Sequence, residues 1–190
     1  MPWSLLVTAY LLLVGVCLAA AIWDVRTGRI PNKLTYPALL AAPVLWYAGG
    51  FLTAGTHEAA AWSGASVVGL LAGGVPFMLL VLTMGLGGGD MKLMAAVGAL
   101  SASWPVVLCT TVYALGVAVI MALGLMVRHK IVRRTLARVF SAALLAPTQT
   151  PANIPDDSPR VPFAVAVAVG AALAGAEQML GLNTPWRPFF

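Results

Sequence analysis

Gly87-Gly88-Gly89-Asp90-Met91-Lys92-Leu93 opens an apolar run that lasts to Val127, interrupted once at Ser101-Ala102-Ser103-Trp104-Pro105. How this run is divided decides the fold. Split at the interruption, its first part holds about 12–14 residues, or about 20 Å of helix, against a hydrocarbon core about 30 Å thick. The Asp90 end is then recessed below the surface, or the bilayer thins locally. Taken instead as one span plus a re-entrant piece, it sends the basic stretch that follows to the opposite side from the other cations. The split reading gives a chain of about six crossings. Arg26, Arg29, Lys33, Lys92, Arg128, Lys130, Arg133, Arg134, Arg138 and Arg160 then share one side, and only Arg187 lies on the other. The positive-inside rule selects this arrangement and puts both termini outside the cytoplasm.

Composition agrees. The chain is 61% apolar with 9% charged residues and a mean hydropathy of +0.93, values of an integral membrane protein. The runs are continuously apolar rather than alternating, which excludes a barrel. We expect an all-α polytopic bundle forming a single domain over 1–190. Its net charge of +5 points to anionic lipid and membrane orientation rather than nucleic acid, because the cations flank apolar spans. Cys17 and Cys109 stand alone in apolar runs, so neither a metal site nor a disulfide is expected. Residues 1–22 lack a basic n-region and exceed a signal-peptide core, and are read as a retained first helix.

Working outward at about 20 residues per span, helices are expected near 4–23, 34–53, 59–84, 91–103, 105–127 and 161–182. Pro31 separates the first two. Gly73, Gly74 and Pro76 predict a kink in the third, and Gly69 with Gly73 makes a small-residue face for close packing. Residues 128–140 read as a basic amphipathic helix lying in the headgroups. The Pro-rich stretch 147–159 reads as flexible, and Trp186 to Phe190 as an interfacial anchor.

Asp24 ends the first helix, and two crossings later Asp90 follows the third, so both acids arrive at one face. An acid at the edge of hydrocarbon is a functional candidate. The three glycines leave the approach to Asp90 without a Cβ and permit positive φ. Each acid also has a plainer reading: Asp90 as an N-cap, Asp24 as a loop acid neutralised by Arg26 or Arg29. Yet Asp24 sits at a helix C-terminus, where the macrodipole disfavours negative charge. Two carboxylates in contact share a proton, so one can act as general base on water and the other as general acid toward a carbonyl. Glu58 and Glu177 fall at the other face, where a solvated or snorkelling role is expected.

Asp24, then Ile30-Pro31-Asn32-Lys33-Leu34-Thr35, then Gly87-Gly88-Gly89-Asp90-Met91-Lys92-Leu93, and finally Arg160-Val161-Pro162-Phe163, resemble in order and spacing the type IV prepilin peptidases. These are membrane aspartic peptidases of the G-x-G-D type. The resemblance implies that Asp24 and Asp90 are the catalytic pair, with Gly87, Gly88, Gly89, Pro31, Asn32 and Lys92 shaping the site, and no metal or cofactor. It implies prepilin or pseudopilin substrates, whose basic leader is removed at the cytoplasmic face of the bacterial inner membrane. Only about ten residues separate the first two helices, where bifunctional members carry an insert associated with N-methylation. The chain is thus more similar to the short peptidases serving tight-adherence (Flp-type) pili. The long basic loop at 128–160 is not an evident part of the family's pattern. Two alternatives are a G-x-G-D protease for other helical substrates, against which the absence of a Pro-Ala-Leu motif counts, and a small proton-coupled transporter using the Asp pair. A transporter's site is expected near the midplane within inverted repeats, and no repeat is present.

Overall fold

The computed structural model describes residues 2–84, 87–128 and 161–181, and within them the fold is helical throughout. Six helices follow in order: α1 (Trp3–Thr27), α2 (Asn32–Ala54), α3 (Thr56–Met84), α4 (Gly88–Ser101), α5 (Trp104–Arg128) and α6 (Phe163–Leu180). All but α4 are long and apolar enough to cross a membrane. The chain is a multi-pass membrane protein. The amphipathic helix expected over 128–140, the stretch 147–159 and the anchor at 186–190 lie outside the described residues.

Hydropathy placed the helices, and local chemistry moved their ends. α1 runs past its apolar segment to Thr27 and stops where Gly28 takes a left-handed φ of 64°, its N–H donating to the Asp24 carbonyl at 2.8 Å. Asp24 therefore lies in the last turn of α1, not beyond it. Pro31, extended at φ −71° and ψ 136°, is the N-cap of α2, as suits a residue that cannot continue a helix but can precede one. His57 and Glu58, expected in a loop, belong to the first turn of α3, and only Gly55 at φ 93° separates α2 from α3. α3 continues as helix through Gly73, Gly74 and Pro76.

α4 organises the bundle. Its 14 residues match the short helix expected, and Leu93 to Ser101 are all buried. A helix buried on every side is a core helix, and α4 touches each of the other five. Its heaviest contact is with α3, where both backbones lack side chains at the seam. A Cβ on Gly69 would strike the Gly98 carbonyl, one on Gly98 the Gly69 carbonyl, and one on Gly73 the Met94 carbonyl. The small-residue face expected on α3 is thus where α4 lies.

A helix that ends inside a bundle must have its last carbonyls satisfied. At the far end of α4, Trp46 Nε1 of α2 donates to the Leu100 carbonyl at 3.1 Å, and Ser66 Oγ of α3 donates to that of Ala99 at 2.7 Å. Ala102 then turns the chain with φ 47°. Around α4 the core gathers Leu13, Cys17, Met94, Val97, Val107 and Val167 among other small and aliphatic side chains.

Candidate active site

The C-terminal turn of α1 meets the N-terminal turns of α2, α4 and α6 at one end of the bundle. α1 and α6 run antiparallel, since Asp24 reaches Ala164 at this end and Tyr10 reaches Gln178 at the other. Three helix N-termini, each with unsatisfied N–H groups and a positive dipole end, thus surround two aspartates.

Asp24 is turned toward α6. Its Oδ2 accepts the Ala164 N–H at 3.1 Å, in the first turn of a helix whose N-cap residue, Pro162, offers no side-chain bond. Among the described residues its partner is a helix N-terminus rather than Arg26 or Arg29. The unfavourable C-terminal position on α1 is offset by a favourable N-terminal one on α6, a compensation that no spacing in the sequence announces.

Asp90 is not an N-cap. Gly87 is the N-cap of α4, with φ −64° and ψ 124°, and Asp90 sits three residues on, its N–H donating to the Gly87 carbonyl at 3.1 Å. The glycine run does not use positive φ, which among the described glycines occurs at Gly28, Gly55 and Gly181. It serves close approach instead. A Cβ on Gly87 would lie 3.1 Å from Asp90 Oδ2, and one on Gly89 3.1 Å from the Ile30 Cβ, while one on Gly88 would meet nothing within 4 Å.

The two carboxyls line one cleft of about 710 Å³, with Val25, Thr27, Gly28, Val161, Pro162 and Phe163 as its other walls. Asp90 lies outside the five long spans. Burial, and after it the charge of Asp24, push its pKa up to about 6. A carboxyl so placed holds a proton more readily than an ordinary aspartate, and the charge next to it is that of Asp24.

None of the other expected site residues, Gly87, Gly88, Gly89, Pro31, Asn32 and Lys92, is among those lining the cleft. Lys92 Nζ donates to Asn32 Oδ1 at 2.7 Å, so a residue of the Ile30-Pro31-Asn32 stretch is joined to one of the Gly87 to Leu93 stretch. Pro31 sets the start of α2 and stands outside the cleft lining. The residues that sequence reasoning left out of the site are Val161, Pro162 and Phe163 as walls and the Ala164 N–H as donor. Their signal was the Arg160-Val161-Pro162-Phe163 stretch before the last helix, which counted toward the resemblance and not toward the site. Phe163 is backed by Phe77 of α3, with ring centroids 6.2 Å apart. Glu177, expected in a solvated or snorkelling role, is half-buried and accepts a hydrogen bond from the Tyr113 hydroxyl between α5 and α6.

Residues 11–147 match the model of a family described as the type IV leader peptidase family. The match takes in Asp24, Asp90 and the basic stretch as far as 147, and it ends before α6. No curated protein and no solved structure matches the chain.

Proposed function

The chain belongs to the type IV leader peptidase family, and from that premise we propose that it is an aspartic endopeptidase in which Asp24 and Asp90 are the catalytic pair. The observation that carries this reading is that both carboxyls open on one cleft and that Asp24 acts on the ionisation of Asp90. Asp90, half-buried, enters the cycle protonated. Asp24, whose Oδ2 accepts the Ala164 N–H at the N-terminus of α6, is the general base. The Asp24 carboxylate takes a proton from a water molecule as its oxygen attacks the scissile carbonyl carbon, while Asp90 gives its proton to the carbonyl oxygen. Collapse of the resulting gem-diol breaks the C–N bond. The proton held on Asp24 passes to the leaving nitrogen, and Asp90 recovers its own.

The substrate is a prepilin or pseudopilin with a cytoplasmic basic leader and a membrane-entering apolar helix, cut at the cytoplasmic face of the inner membrane. Helix N-termini around a cleft at one end of the bundle suit a peptide drawn from helical into extended form at the lipid boundary. The link between α1 and α2 is only residues 28–31, which favours the short, Flp-type reading without methylation. A pilin processed by the purified protein with S-adenosylmethionine present should therefore show an unmethylated amino terminus by mass spectrometry.

The deciding experiment is substitution of each acid. Asp24→Asn keeps an oxygen that can accept the Ala164 N–H, and Asp90→Asn removes no cap, so both should insert and accumulate normally. Each should abolish cleavage, and the double variant should be no worse than either single one, because paired groups lose function as a unit. Robust turnover by either Asn variant, free of endogenous peptidase, rules out the paired mechanism.

A further inference from the structure

Lys92 stands two residues after Asp90 and turns away from it. Its ammonium donates to Asn32 Oδ1 at 2.7 Å and lies 4.8 Å from the centroid of the Tyr36 ring. Asn32 and Tyr36 are one turn apart on α2 and share a face. A single cation thus holds that face at two points, once by a charge-assisted hydrogen bond and once over an aromatic ring.

The start of α4 needs such a hold. Its N-cap makes no side-chain bond, and its first residues are glycines, which give the backbone little stiffness of their own. The contact of Gly89 with Ile30 fixes how close the chain comes but not its rotation. The cation is taken up by Asn32 and Tyr36, and among the described residues no ion pair joins it to Asp90.

We infer that Lys92 is a positioning residue: by gripping Asn32 and Tyr36 it sets the first turn of α4 against that of α2, and so places the Asp90 carboxyl opposite Asp24. The inference rests on the reading of Asp90 as a catalytic acid. A misplacement of about 1 Å in such a group lowers turnover about 100-fold, so two side chains that never meet the substrate become visible in kcat.

The test uses the full-length protein and a prepilin that it cleaves, with kcat and KM measured for Lys92→Met, Asn32→Leu, the double variant, Lys92→Arg and Asp90→Asn. Lys92→Met and Asn32→Leu should each lower kcat about 10- to 100-fold and change KM less than about threefold. The double variant should be no worse than the poorer single one, since both remove the same contact. Lys92→Arg, whose guanidinium can both donate and stack, should recover most of kcat. The basic limb of the pH profile should stay where it is in the parent. Lys92→Gln and Tyr36→Leu, milder changes, serve if Lys92→Met does not insert. A loss confined to KM, losses that multiply in the double variant, or a displaced basic limb overturns the inference. If Asp90→Asn is inactive while Lys92→Met turns over like the parent, only the positioning role falls. If Asp90→Asn cleaves, the catalytic reading and the inference fall together.

Discussion

Asp90 is an acid whose surroundings disfavour its charge, and the consequences run with pH in a fixed direction. Its folded pKa, about 6 against an ordinary 3.8, means that the proton needed on Asp90 is lost as pH rises through that value. In the free enzyme kcat/KM should fall on the alkaline side with an apparent pKa near 6, a property of the pair rather than of one residue. Stability moves the same way, because a raised folded pKa contributes stability at low pH that is lost as pH rises through it. Asp90→Asn should therefore raise the thermal midpoint at pH 8, with the gain shrinking toward pH 4. A gain that grows on acidification would contradict the burial of this carboxyl. The glycines beside it separate by what their missing Cβ would meet. Gly87→Ala, crowding Asp90 Oδ2 at 3.1 Å, should reduce kcat with little effect on the thermal midpoint, whereas Gly88→Ala, facing open space, should lose least.

At the scale of elements, the seam between α3 and α4 decides whether the short central helix stays seated. Gly69 and Gly98 face one another backbone to backbone, a contact that lipid tails cannot drive by exclusion from water and that depends on dispersion at close range. Gly98→Ala puts a methyl group against a carbonyl that cannot swing aside. It should destabilise by about 1–3 kcal/mol, the usual range for overpacking. Gly116→Ala on α5, where nothing lies within 4 Å, should stay within about 0.5 kcal/mol. Thermal unfolding of the two variants in one detergent makes the comparison, and equal midpoints would mean that the seam can open without loss. α6 is held differently, by polar contacts at both ends: Asp24 to Ala164 at the cleft, and Tyr10 to Gln178 with Tyr113 to Glu177 at the other. The acid proposed to activate water thus also ties a helix that forms one wall of the cleft.

For the whole molecule, the proposed orientation makes a prediction of its own. In a chain with Cys17 and Cys109 replaced by alanine, a single cysteine at position 57 should react with an impermeant thiol reagent in intact cells. One at position 149 should react only after lysis. The reverse pattern would move the cleft to the outer face, away from a cytoplasmic leader.

Much of this molecule was legible in one dimension. Hydrophobic length sets the number of long helices, because a bilayer imposes its thickness on every segment that crosses it. The split at Ser101 to Pro105 and the short α4 could be read the same way, and so could the small-residue face of α3. That Asp24 and Asp90 reach one end of the bundle follows from counting crossings. What the sequence could not determine is how the two acids are treated there. Asp24 looked misplaced at the end of α1 until the N-terminus of α6, 140 residues away in sequence, supplied its partner. Asp90 looked like a cap until Gly87 took that position. Lys92, set by the resemblance among the residues shaping the site, had no visible partner until it was found over Tyr36 and against Asn32. Each depends on distances between residues far apart in the chain. Spacing and hydropathy fix which helices form and which way they run, whereas the environment of a carboxyl is a sum over neighbours that only packing brings together.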